Sequence, residues 1–133
     1  MHKSVTELLG ALQGVVEIDP SNLNDEFTNL PATVAWWSAT VADLQAKVEL
    51  AKLERKRVES ETFKFRRAGH KSDGATAHDV ATDPDVIEAN TAEIAAEHEL
   101  GHAKAIVLAL LSKRDMLISL GANYRAESPI TIR

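Results

Sequence analysis

The chain has no cysteine, so neither a disulfide framework nor a thiolate metal site is open to it. Aromatic residues are scarce at 5%, and six glycines with four prolines are too few to punctuate a chain of many tight turns. Long apolar runs are missing too. The longest, Ala105 to Leu111, is far too short to cross a bilayer, and no secretory n-region or h-region opens the sequence. Period-two alternation is absent over any useful length, and only Pro129-Ile130-Thr131-Ile132 hints at a strand. What remains is an alanine-rich chain of 133 residues, expected to be a soluble, intracellular, all-α protein with room for one domain.

The helical pattern is legible. Ser4 and Glu7 fit a capping box before a short amphipathic helix over 1–16 that carries Val5, Leu8, Leu9, Leu12 and Val15. Glu17 to Pro20 reads as extended, and Ser21 is a candidate cap for a turn or more of helix before residue 31. Pro31 suits the first turn of a long helix over 31–68, which meets no breaker until Gly69. Val34, Trp37, Val41, Leu44, Val48, Ala51 and Val58 recur at alternating threes and fours, the seam of a coiled coil or bundle, with Arg55 interrupting the row. Residues 69–82, rich in Gly, Ser, Asp and Thr, read as a mobile loop. Asp83 caps a third helix over 83–127 with Pro84 at its first position, and 128–133 is a tail. The third helix would be on the order of 60 Å long. Its middle is apolar around the whole circumference, which predicts burial against other subunits. The expected architecture is therefore two long antiparallel helices forming a hairpin that assembles into an oligomeric bundle. Trp37, Val41, Leu44, Val48, Ile106, Leu110 and Leu117 would be its oligomer core.

Charge is unevenly spread. From Lys52 to Lys71 there are eight Lys/Arg against three Glu, whereas Asp73 to Glu99 holds eight Asp/Glu and no Lys or Arg. The net charge of −5 thus hides separate basic and acidic surfaces. In the basic stretch KLERKRVESETFKFRRAGHKSDG, cations attract phosphates while exposed rings stack on unpaired bases. The candidate DNA-binding set is Lys52, Arg55, Lys56, Arg57, Phe63, Lys64, Phe65, Arg66, Arg67, His70 and Lys71. A competing reading makes this a charged helix face, with Glu59 and Glu61 in intrahelical pairs and both phenylalanines in the core. Lys113, Arg114 and Arg125 offer a second, sparser basic set that Asp115 partly neutralises. Trp37 belongs to the apolar row, and Trp36 is placed to pack against a partner subunit.

HELGH, residues 98–102, spells the zinc-peptidase pattern H-E-x-x-H, with His98 and His102 as metal ligands and Glu99 as general base. A catalytic zinc needs a third ligand. The metzincin continuation would demand Gly at 105 and His at 108, where this chain has Ala105 and Leu108. The downstream carboxylates Asp115 and Glu127 lie on the same expected helix, several turns away. The pattern arises readily by chance in a chain with five histidines, so neither a catalytic residue nor a cofactor is expected.

The order of features, from EIDPSNLNDEFTNLPATVAWW through the basic stretch and DPDVIEANTAEI to LLSKRDMLISLGANYRAE at 110–127, resembles the phage recombination mediators of the UvsY type. That resemblance covers roughly residues 17–127 and is most specific in KRDMLISLGANYRAE. It implies a ring-like homo-oligomer in the host cell cytoplasm that binds single-stranded DNA. It also implies loading of a RecA-like recombinase onto strands covered by single-strand DNA-binding protein. Lys64, Arg66, Arg67 and Lys71 would then fall in the DNA-contacting segment, and the two long helices would build the assembly core. Two alternatives stand beside it: a non-enzymatic phage structural or interaction module, and a zinc-dependent hydrolase using HELGH.

Overall fold

The computed structural model describes residues 7, 10, 13, 14, 16–69 and 72–127. Three α-helices account for most of them: α1 over Leu23–Arg67, α2 over Asp73–Thr82 and α3 over Pro84–Glu127, with a 3-10 turn at Pro20–Asn22 leading into α1. No strand occurs among the described residues, and the protein is all-α, with α1 and α3 packed against each other. Of the expected N-terminal helix only Glu7, Gly10, Gln13, Gly14 and Val16 are described, all helical. Its apolar residues, together with 128–133, lie outside the described residues.

The chain enters α1 earlier than the sequence suggests. Asp19, not Ser21, is the cap: its carboxylate accepts from the Ser21 amide at 2.9 Å and from the Ser21 hydroxyl at 2.6 Å, with Pro20 behind it at the first position. Pro31 consequently lies inside α1 rather than at its start. There it has no N–H to offer the Phe27 carbonyl one turn back, a loss the rest of a 45-residue helix outweighs. Asp83-Pro84 repeats the Asp-Pro arrangement, the Asp83 carboxylate accepting from the Asp85 amide at 2.9 Å as α3 begins.

Residues 69–82 are not a loop throughout. Ser72 caps α2 through its hydroxyl, which accepts from the Ala75 amide at 3.2 Å, and Thr76 and Val80, one turn apart, are both buried. A ten-residue helix is marginal by itself, so that buried edge is what holds α2 in helical form.

Two compact units divide the chain. In the first, Met1–Thr40 with His102–Arg133, Leu30, Ile106, Leu110 and Leu117 form a core on which Ile18, Leu23, Val34 and Trp37 pack. Each fully buried leucine there contributes roughly 1.5–3 kcal/mol. The Lys113 ammonium sits beneath the surface of this unit, 2.5 Å from the Glu26 carboxylate. In the second unit, Val41–Gly101, the core is Val48, Ala96 and Leu100 with Val41, Leu44 and Ala51 against it. Its cross-helix pairs are Lys47 with Glu99, Arg55 with Glu93 and Arg66 with Asp83. Partner numbers fall as α1 numbers rise, so the helices run antiparallel here.

Of the residues assigned from sequence to an oligomer core, Val48, Ile106, Leu110 and Leu117 are buried within the single chain, while Trp37, Val41 and Leu44 are half-buried. Trp37 packs against the first unit's core and Val41 and Leu44 against the second's. The all-round apolar stretch Ala105–Leu111 is buried on one side only, with Leu108 on the outside. The reason is geometric: within the first unit, the neighbouring residues of the core cover only the face that carries Ile106 and Leu110.

Candidate nucleic-acid interface

The basic stretch occupies the last four turns of α1, in the second unit. Its outward residues are set by the 3.6-residue period: with Val48, Arg55 and Arg66 on the side facing α3, Lys56, Arg57, Lys64 and Phe65 turn to solvent. Phe65 is 80% exposed, the most open large apolar side chain described, whereas Phe63 is half-buried. The two aromatics therefore divide between the stacking and core readings.

The cations divide as well. Arg55 reaches across to Glu93 and along its own helix to Glu59, at 3.2 Å. Arg57 lies between Glu54 and Glu61, the latter at 2.8 Å, and Lys52 is 3.6 Å from Glu49. The intrahelical pairs of Glu59 and Glu61 are therefore present. Arg66 donates to Asp83 at 2.7 Å and Arg67 to Asp73 at 2.8 Å. Lys56 and Lys64 make no ion pair with any described residue. His70 and Lys71 lie outside the described residues. The local positive excess counted from sequence is thus largely met by the chain's own carboxylates.

These pairs shift the groups in them. The Glu93 carboxylate, with Glu59 beside it, pushes the Arg55 guanidinium further up, and Glu54 with Glu61 does the same to Arg57. Hydrogen bonding from Arg66, and then from the Asp85 amide, holds the Asp83 carboxyl below its ordinary value of 3.8. Arg66 and Asp83 form the most sheltered of these contacts at the end of α1, since Asp83 is buried. Arg67 and Asp73 form an open one, the Asp73 side chain being 83% exposed.

Sequence reasoning found the cations but not Asp73, Asp83 and Glu93, which oppose them. The available signal was the abrupt change from a basic tract to an acidic one across Ser72. Of the sparser basic set, Lys113 is unsuited to contacting DNA because it is 8% exposed and paired with Glu26; Arg114 lies 3.4 Å from Asp115.

HELGH lies within α3. Its Glu99 carboxylate is engaged by the Lys47 ammonium at 2.9 Å, Leu100 is buried in the second unit's core, and His98 is exposed. Among the described residues no group of three or more His, Asp or Glu is placed to hold a metal ion. No helix among them is long and apolar enough to cross a membrane. No family model, no curated protein and no solved structure matches the chain.

Proposed function

We propose that this chain is a non-catalytic, single-stranded-DNA-binding recombination mediator, working as a homo-oligomer to help load a RecA-like recombinase onto strands carrying single-strand DNA-binding protein. The observation that carries the reading is Phe65, an aromatic ring open to solvent between Lys64 and Arg66. An aromatic face open to solvent is available for stacking, and unpaired bases stack on such rings at roughly 1–3 kcal/mol each. Lys64, exposed on the same turn, supplies a phosphate contact beside it. Exposed pairs such as Arg67 with Asp73 are weak in water, so a phosphate displaces the carboxylate at little cost. The order of sequence features shared with UvsY-type mediators supplies the recombinase-loading part of the proposal.

Equilibrium binding to labelled poly-dT tests it. Phe65→Ala should weaken binding about fivefold to a hundredfold with the salt slope kept, the equivalent of one lost stack. Lys64→Ala should instead flatten the slope of log K against log salt by about 0.7, the value for one phosphate on a single strand. Equal, small effects of both substitutions would remove the stacking site.

A second reading, a helical interaction module indifferent to DNA, is favoured by Leu50, Leu53 and Ile94, each more than 60% exposed. It predicts self-association together with no binding to poly-dT at low salt.

A further inference from the structure

The two arginines that end α1 bracket α2. Arg67 holds Asp73 at the helix's first position, and Arg66 holds Asp83 immediately after its last. Between them lies a ten-residue helix with Asp79 as a further acid and no cation. Two carboxylates, one opening this short helix and one just past its end, thus occupy two adjacent guanidiniums, as two phosphates of a nucleic-acid strand would. The anchors differ in strength. At the Asp83 end the carboxylate is buried and also caps α3, while at the Asp73 end the pair is open to water. Of α2 only Thr76 and Val80 are buried.

We propose that α2 with its C-terminal cap is an autoinhibitory phosphate mimic: Asp73 and the capping Asp83 compete with single-stranded nucleic acid for Arg67 and Arg66, and strand binding displaces α2 beginning at its Asp73 end. The inference rests on the DNA-binding reading above. It accounts for an acidic helix packed beside the residues that would meet an anionic strand. It also bears on salt dependence. In the wild-type chain salt also loosens the Arg67–Asp73 pair, which offsets part of the salt dependence of the contact between Arg67 and a phosphate. Once Asp73 is neutral, that offset is gone.

The test compares the wild-type chain, Asp73→Asn and Glu88→Gln on labelled poly-dT across a salt series. Glu88 is an exposed acid of the same tract that contacts neither arginine, so its variant reports the generic effect of removing one negative charge. Asp73→Asn should bind about twofold to fivefold more tightly than Glu88→Gln, the equivalent of one surface ion pair, with a steeper salt slope. Identical behaviour of the two variants, with DNA still bound, would overturn the mimic and leave the DNA site standing. Failure of all three proteins to bind would overturn both. Hydrogen exchange gives a second readout: saturating poly-dT should speed exchange of the α2 amides from Thr76 to Thr82. Unchanged or slower exchange in the bound protein would overturn the displacement.

Discussion

Replacing Lys113 with alanine should be among the most damaging single changes to the first unit. The side chain is 9% exposed, and its ammonium is 2.5 Å from a Glu26 carboxylate that is itself only 21% exposed. Breaking a buried pair from one side costs about 3–5 kcal/mol, because the remaining charge is left without its partner. Here Glu26 borders a cavity of about 410 Å³ lined by Asp19, Asn22, Asp25, Asn29 and Thr33, polar enough for water to rehydrate it in part. That lowers the expected cost to about 2–3 kcal/mol, or a fall in Tm on the order of 6–12 °C for a chain of this size. Urea unfolding followed by circular dichroism at fixed protein concentration measures it, since self-association would otherwise move the midpoint. The pair replacement Glu26→Leu with Lys113→Met should recover most of the loss, because both charges then leave together. A Lys113→Ala chain within about 0.5 kcal/mol of wild type would refute the reasoning, placing it with ordinary surface substitutions.

Leu110→Ala, at a position with no exposed surface, should cost about 2–5 kcal/mol in the same assay, and a smaller loss would mean that the first core closes over the gap. Gly101→Ala should stabilise by about 0.5–1 kcal/mol, because Gly101 is helical and exposed and a Cβ there meets nothing within 4 Å. A destabilised Gly101→Ala would point to a contact at HELGH that requires glycine. Asp83 makes stability depend on acid. Its folded carboxyl titrates below its ordinary 3.8, so its contribution is complete above that value and is lost as pH falls through the lower, folded one. Below about pH 4 the wild-type chain should therefore lose stability more steeply than Asp83→Asn, and parallel acid curves would contradict the Arg66–Asp83 contact.

How much could be read in advance differed from element to element. The start of α3 is legible because Asp83-Pro84 states its cap and first turn locally, whereas at the start of α1 the same dipeptide, Asp19-Pro20, competes with Pro31 as a first-turn proline. The seam from Val34 to Ala51 marks the buried side of α1 through its period alone. What covers that seam, another subunit or the same chain, is a tertiary fact that periodicity does not carry. Residues 73–82 have weak intrinsic helix preference, with Gly74, Thr76, Asp79 and Thr82 among them, and their helicity follows from the Ser72 cap and the burial of Thr76 and Val80. The basic tract was equally visible, but not its neutralisation. Arg66 meets Asp83 across 17 residues and Arg55 meets Glu93 across 38, pairings that exist only once α1 and α3 lie side by side. Phe63 and Phe65 differ by 200° around α1, so the helix separates what the sequence presents as one aromatic pair.

The central claim is that the exposed end of α1 binds single strands, and fluorescence anisotropy of labelled poly-dT with the wild-type chain at low and moderate salt tests it most directly. Binding should be saturable at low salt and weaken steeply as ionic strength rises. No change in anisotropy at low salt, with the protein folded and at micromolar concentration, would contradict it.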